Sequence, residues 1–299
     1  MTWILFALLA PVFFAITSIL EKYTVDKVSK WVYDFLFYSS FFELLFSLIA
    51  YIFFDVTFSL IAYFSLFSWV FLVYATYFYV KAIEKTDVSL VIPLFNSISI
   101  FVLIISYFVF WKQISLLQFV GFIIVLFWAI IISIEWNFLK KFKINSAFYL
   151  MLWASFLYSL LFSISDFVVW KTNVATVAFW EWIWFFLWVL IFLFFKQSRT
   201  EVILWLKDFW FRKNSLFLSN NIFDKLGMIT SYKAFSLAPN PWLVSVIWWI
   251  QSFIVLSFTI ILSLFFPKII KENIEKKVLV QKIIWMLIIF VGIYVLYLG

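Results

Sequence analysis

The residues of this sequence best suited to chemistry form a polar stripe inside an otherwise apolar stretch near position 220. Their spacing of i, i+4, i+7 and i+11 places them on one face of a helix: Asn220, Asp224, Gly227 and Ser231. Asn221 and Lys225 flank this face. Because charged groups in an apolar environment need partners or water, the stripe predicts a substrate-binding or proton-coupling pathway. The alternatives are a structural ion pair between helices and snorkelling of a side chain to an interface.

Lys225 is expected to take its counter-ion from another helix. Adjacent residues on a helix point about 100° apart, so we expect Asp224 not to neutralise Lys225 by itself. Glu43 and Glu181 are the acids that lie in the middle of other apolar stretches. Both are therefore candidates for the same pathway, with a purely structural ion pair as the alternative.

Two further apolar stretches carry polar residues that are candidates for the pathway. Pro93 lacks an N–H and frees the carbonyl of Ser89, and Asn96 follows shortly after. In the second half, Gln251 and Ser252 lie at a comparable depth. Freed carbonyls and amides can bind a polar substrate, but a proline kink satisfied by a neighbouring helix explains the same pattern.

Two acids occupy corresponding positions in the two halves of the chain. Glu21 and Asp166 each follow a serine by three residues near the predicted end of an apolar stretch. They are candidate gates that pair with lysines in one conformation and release them in another. Ordinary interfacial carboxylates explain them equally well.

The composition excludes most catalytic chemistry. The chain has no cysteine and no histidine, and its four glycines form no phosphate-binding loop. We therefore expect no enzyme activity, no cofactor and no metal. The net charge of +7 comes from basic residues in short loops, so we expect no nucleic-acid partner.

The elements that position these residues are predicted to be transmembrane helices. The 299 residues are 67% hydrophobic and only 12% charged, and a bilayer core takes roughly 20 helical residues to cross. The predicted spans lie near 3–20, 32–54, 58–81, 88–110, 117–135, 146–168, 175–195, 214–234, 241–266 and 282–298. The eighth is the most polar, and placing it in water would leave nine spans.

Basic residues alternate between successive loops. Most of the 22 lysines and arginines follow odd-numbered spans, whereas the opposite side has only Lys112, Lys171 and Lys233. This asymmetry supports ten spans and predicts that both termini lie outside the cell.

The two halves of the chain share several local patterns, which predicts an inverted repeat. The repeats are predicted at 1–143 and 144–299, with five spans each. On its motifs, the sequence resembles the EamA family of the drug/metabolite transporter superfamily. The motifs in the first half are Lys81–Ala82, Asp87–Leu94 and Gln118–Gly121, and those in the second are Lys233–Ala234, Asn240–Val244, Gln281 and Gly292. The chain departs from the family in having few glycines, and many members keep both termini inside.

The resemblance implies an all-α, ten-helix integral membrane protein with a central cavity between two inverted five-helix repeats. It implies a secondary transporter or exporter that moves a small metabolite, amino acid or drug-like molecule by alternating access, in a prokaryotic cell membrane. The bilayer and a small-molecule substrate are the expected partners, with protons as the coupling ion. A flippase for a lipid-linked substrate is the alternative, and an integral membrane enzyme is a more remote one.

Overall fold

The computed structural model of the chain is helical, with no strand among the residues that it describes. These are residues 2–28, 32–95, 97–110, 146–194, 211–239 and 241–270, with shorter pieces within 115–124, 196–200 and 272–295. Asn96 and Asn240 lie outside the described residues, as do most of the predicted spans at 117–135 and 282–298.

Six described helices come before residues 125–145, which lie outside the described residues; this interval is called the gap below. They are α1 (Thr2–Lys27), α2 (Val32–Phe53), the short α3 (Leu60–Tyr63), α4 (Ser65–Lys85), α5 (Val88–Phe95) and α6 (Ile98–Phe110). After the gap the described helices are α7 (Ser146–Lys171), α8 (Val174–Ile191), α9 (Phe211–Leu237), α10 (Pro241–Ile247) and α11 (Ile250–Phe265). Each matches one of the predicted spans or a part of one.

Among the described residues, seven helical stretches are long and apolar enough to cross a membrane. They are Thr2–Lys27, Phe35–Phe53, Leu60–Lys85, Val88–Val109, Ser146–Lys171, Val174–Ile191 and Leu243–Phe265. Large apolar side chains on their outer faces are exposed to the surroundings, such as Leu5, Phe53 and Leu264. Such a surface is stable only when lipid covers it.

The polar helix α9 is not among those seven, yet it lies inside the bundle. Its 27 residues span roughly 40 Å, which is longer than a bilayer core is thick. Its polar residues Asn220, Asn221 and Lys225 are all buried. The eighth span therefore forms a helix of sufficient length, and the count of ten crossings stays a prediction.

Helices from before and after the gap pack against each other in pairs. α1 packs along α9, α4 along α7, and α2 along α8. This interlocking means that the centre of the bundle is walled by residues from both parts of the chain.

Apart from the stretch that is divided at Phe64 between α3 and α4, two apolar stretches are each broken into two helices. The first break separates α5 from α6 two residues after Pro93, and the hydroxyl of Ser155 lies 3.4 Å from each of the carbonyl oxygens of Leu94 and Phe95. The second break separates α10 from α11 at residues 248–249. Backbone carbonyls at such breaks need partners within the protein, because lipid offers none.

The two breaks contact each other. The hydroxyl of Ser99, in the first turn of α6, donates to the carbonyl of Ser245 in α10 at 2.8 Å. The indole N–H of Trp249, at the second break, donates to the same hydroxyl at 2.8 Å. One serine therefore joins the two discontinuous helices at the centre of the bundle.

The start of α5 is capped by an acid that is distant in sequence. Glu272 accepts hydrogen bonds from the backbone N–H of Ser89, at 3.2 Å, and from the Ser89 hydroxyl. Its own N–H donates to the hydroxyl of Ser263 at 3.1 Å. A carboxylate at this position accepts from a first-turn amide and interacts favourably with the positive end of the helix dipole.

Candidate functional site

A polar cavity of about 100 Å³ lies between the interlocked helices. This volume is sufficient for several water molecules or a small polar group. Its charged and amide residues come from helices before and after the gap: Glu21, Glu43, Asn220, Asn221, Asp224, Lys225 and Gln251. The structure thus brings together the polar residues of the eighth span and acids from the first two.

A buried lysine with two carboxylate partners forms one wall of the cavity. Lys225 pairs with Glu43 of α2, and its Nζ also lies 2.7 Å from Oδ2 of Asp224. The expectation of an acid from another helix is met by Glu43. Asp224 also contacts Lys225, because the four methylene groups of lysine allow the amine to turn back across the helix surface, but it is not the only acid that pairs with this lysine.

Glu21 lies inside the cavity wall, although it was predicted at a helix end. Helix α1 continues to Lys27, and a carboxylate oxygen of Glu21 accepts a hydrogen bond from the Tyr79 hydroxyl at 2.8 Å. No salt bridge to Glu21 occurs in the described part of the chain. Its counterpart Asp166 is half-buried in α7 and is not among the residues that line the cavity.

Several buried polar atoms around the cavity have no hydrogen-bond partner among the described residues. They are Ser39 Oγ, Glu43 Oε2, Asn220 Oδ1 and Trp248 Nε1, and all four residues line the cavity. Buried polar groups in proteins nearly always have partners, so atoms of this kind mark a place for a polar ligand or water. Three of the four atoms can accept a hydrogen bond.

Glu181 occupies a separate polar cluster. Its carboxylate accepts hydrogen bonds from the hydroxyls of Ser165 and Tyr232, and more weakly from Ser68 at 3.5 Å. Glu181 is completely buried but does not line the cavity. Charge-assisted hydrogen bonds of this kind stabilise a buried carboxylate, and no cation among the described residues forms a salt bridge with Glu181.

Of the other residues predicted for the pathway, one lines the cavity and several do not. Gln251 lines the cavity and donates from Nε2 to the Ser18 hydroxyl at 3.1 Å. Ser89 bonds to Glu272, and the Ser231 hydroxyl bonds to the carbonyl of Gly227 within α9. Pro93 and Ser252 are buried near the two helix breaks. None of these last four residues lines the cavity, and Asn96 lies outside the described residues.

Sequence reasoning missed the two tyrosines that line the cavity. Tyr79 bonds to Glu21, and the Tyr158 hydroxyl lies 3.1 Å from the Thr76 hydroxyl, with all four side chains lining the cavity. Thr76 and Tyr79 are three residues apart, which is a helical spacing that indicates one face. The same signal occurs in α1, where Ser18 and Glu21 are three residues apart.

These features define an integral, multi-pass membrane protein with a buried polar centre. Residues 1–134 match the model of the EamA-like transporter family, a family of the drug/metabolite transporter superfamily. The expected resemblance to this family is confirmed over that part of the chain. The family that these residues match is one of membrane transporters.

Comparison with solved structures gives the fold over almost the whole chain. A match described only as a protein crystal structure has a TM-score of 0.59 and 10% sequence identity, and it covers 96% of this chain and 95% of that chain. At this identity the likeness shows the fold alone. No curated protein matches the chain by sequence.

Proposed function

We propose that the protein is a secondary transporter whose substrate binds in the cavity lined by Glu21, Glu43, Asp224 and Lys225. The substrate class that fits is a small amine-bearing metabolite, such as an amino acid. Movement across the membrane occurs by alternating access between two inverted five-helix repeats, 1–143 and 144–299.

The proposal is supported mainly by the excess of carboxylates over cations among the described residues that line the cavity. Three carboxylates line it, whereas Lys225 is the cation among the described lining residues and already pairs with two of them. The partners of Glu21 are the Tyr79 hydroxyl and the Asn220 side chain, and neither of them is a cation. An ammonium group would satisfy Glu21 together with the unpaired oxygen of Asn220.

The broken helices support the alternating-access part of the proposal. Discontinuous helices that meet near the centre of the bundle are typical of secondary transporters with inverted repeats, where freed backbone groups surround the substrate. Here the fourth and ninth predicted spans are broken, and these are corresponding positions in two five-span halves. The link through Ser99 places both breaks beside the cavity that this residue also lines.

Proton coupling follows from the shared lysine. Lys225 pairs with both Glu43 and Asp224. Protonation of one of these carboxylates neutralises it and breaks its ion pair, so that the lysine amine moves toward the other carboxylate. Asp224 is the more accessible of the two, with 31% of its side chain exposed against 6% for Glu43. We assign the exchange of protons with the cavity to Asp224.

The test is uptake by the purified protein in liposomes under an imposed pH gradient. A thermal-shift screen of amines against their deaminated analogues first selects the substrate, and we expect only the amines to stabilise the protein. Asp224→Asn, which cannot carry a proton, should abolish the pH dependence of uptake.

Glu84→Gln is the matched control, because this exposed carboxylate at the end of α4 is not part of the cavity lining. It should retain the parent pH dependence. If uptake by Asp224→Asn responds to pH as the parent does, Asp224 has no role in coupling.

A further inference from the structure

An apolar groove of about 690 Å³ runs along the outside of the bundle, separate from the polar cavity. Its walls come from α1, α2, α8 and α9, and the surfaces that line it are overwhelmingly apolar. Ile222, Leu226 and Ile229 follow one another along α9 with about 40% of each side chain exposed. A groove of this kind on the lipid-facing side of a membrane protein is expected to be filled by an alkyl chain.

The depth of the groove corresponds to one leaflet. It extends along α9 from Ile222 to Lys233, which is roughly 16 Å at about 1.5 Å per residue. The hydrocarbon core of a bilayer is about 30 Å thick, so this distance is roughly half of it. One acyl chain of a lipid in the adjacent leaflet therefore fits along the groove.

Three polar residues are grouped at the outer end of the groove. Lys233, Asp55 and Asn173 line this end, close to the ends of α9, α2 and α7. The Asn173 amide donates to the backbone carbonyl of Asp55 at 2.9 Å, which leaves the Asp55 carboxylate outside that bond. Neither Lys233 nor Asp55 takes part in a salt bridge in the described part of the chain. One free cation and one free anion at the membrane surface complement a zwitterionic head group.

The inner part of the groove touches the charged cluster of the cavity. Lys225 lines both the groove and the cavity, and its Nζ lies 5.4 Å from the centre of the Trp182 ring, which forms part of the groove floor. The methylene groups of this lysine thus separate the groove from the polar centre. A chain in the groove would shield the ion cluster from competing lipid contacts and water.

We propose that this groove is a specific binding site for one acyl chain of a zwitterionic phospholipid, whose phosphate contacts Lys233. The site is distinct from the cavity of the proposed transport function and does not depend on transport. Its ligand comes from the bilayer, from the leaflet nearest the start of α1.

The experiment uses the full chain in liposomes that contain a trace of phosphatidylethanolamine with a diazirine in the middle of one chain. After photolysis, mass spectrometry locates the adducts. We expect them to concentrate on residues 46–54 of α2 and 222–233 of α9. Excess unlabelled phosphatidylethanolamine should displace the probe, whereas a fatty acid of the same chain length should not.

Two substitutions test whether the groove and its outer end make the site. Ala178→Trp, which fills the groove from a buried wall position, should lower adduct formation there at least fivefold, and so should Ile229→Trp from its open side. Ile261→Trp, at an exposed position on α11, is the control and should leave labelling unchanged. If Ile229→Trp also lowers adduct formation, the conclusion does not depend on whether the Ala178→Trp protein folds.

Lys233→Gln should weaken labelling by the phospholipid, whereas Lys171→Gln at the same end of the bundle should not. Adducts spread evenly over all lipid-facing helices, or labelling that neither filling variant reduces, would overturn the proposal. Equal displacement by the fatty acid, or labelling that Lys233→Gln leaves unchanged, would overturn the assignment of the phosphate to Lys233.

Discussion

Lys225 determines the electrostatics of the cavity. Its amine is buried with Glu43 on one side and Asp224 on the other, so three ionisable groups form one cluster beside the cavity. Bringing such groups out of water costs several kcal/mol per ion, and their mutual attraction offsets that cost only while every partner is present. Removal of the lysine therefore has a different effect from removal of the whole pair.

We predict that Lys225→Met lowers the free energy of unfolding by about 3–5 kcal/mol, because Glu43 is left as an uncompensated buried charge. The double variant Glu43→Gln with Lys225→Met should regain most of this loss. Denaturant titration in detergent micelles measures both values.

Lys171→Met provides the control for this prediction. Lys171 is exposed and lies 3.9 Å from the centre of the Trp170 ring, without a carboxylate in contact among the described residues. Its replacement should change stability by less than about 1 kcal/mol. A Lys225→Met protein as stable as the parent would show that Glu43 does not depend on this lysine.

At the scale of elements, α9 depends on close contact with α1. A Cβ atom added at Gly227 would lie 2.6 Å from Cε1 of Phe14, closer than real Cβ atoms approach a neighbour. The glycine therefore permits the two helices to approach, as small residues do at helix interfaces in membranes. Phe14 also lines the cavity, so this contact connects helix packing to the site.

We predict that Gly227→Ala pushes the Phe14 ring into the cavity, which weakens substrate binding and costs about 1–3 kcal/mol of stability through overpacking. Adding Phe14→Leu should restore both, because the smaller side chain makes room for the new methyl group. Binding by thermal shift and denaturant titration measure the two effects. A Gly227→Ala protein that binds and unfolds like the parent would exclude this contact as a constraint.

The sequence predicted which helices exist better than it predicted where they end. Counting apolar residues placed the end of the first span at residue 20, just before Glu21, but α1 continues to Lys27. The reason is that a carboxylate facing a polar cavity does not terminate a helix. Because counting apolar residues ended the span before Glu21, this residue was expected at the membrane interface and not in the cavity.

The polar stripe near position 220 was predictable because its residues belong to one helix. Apart from the pairing of Lys225 with Glu43, the contacts between helices were not predictable from the sequence. Tyr79 is one of 14 tyrosines, and only the packing of α4 against the rest of the bundle selects it. Glu181 was found by its depth in an apolar stretch, but its hydroxyl partners come from other helices.

At the scale of the whole molecule, the packing pairs fix which helix ends share a membrane surface. The ends of α7 and α9 lie on the same side as the start of α1, whereas the ends of α1 and α4 lie on the other. Orientation relative to the cell remains the prediction from the distribution of lysines, with both termini outside.

The natural absence of cysteine makes this orientation testable. Single variants Lys171→Cys and Lys85→Cys should react with opposite preferences when intact cells meet an impermeant thiol reagent. We expect Lys171→Cys to be labelled from outside and Lys85→Cys only after permeabilisation, with the parent chain as a background control. The reverse pattern would mean that both termini are inside.

A second pair of cysteines asks whether α9 crosses the membrane. Lys196→Cys and Leu237→Cys flank this helix and should lie on opposite surfaces. Labelling of both from the same side would give an odd number of crossings and remove the basis for two inverted repeats.

The cap that Glu272 places on α5 has a consequence for the autonomy of the first 134 residues. The amide and hydroxyl of Ser89 take their acceptor from a residue 183 positions further along the chain. A polypeptide that stopped before the second half would begin its fourth span without this carboxylate cap. Such a piece needs the remainder supplied in trans, so any split version of this protein should assemble only when both parts are made together.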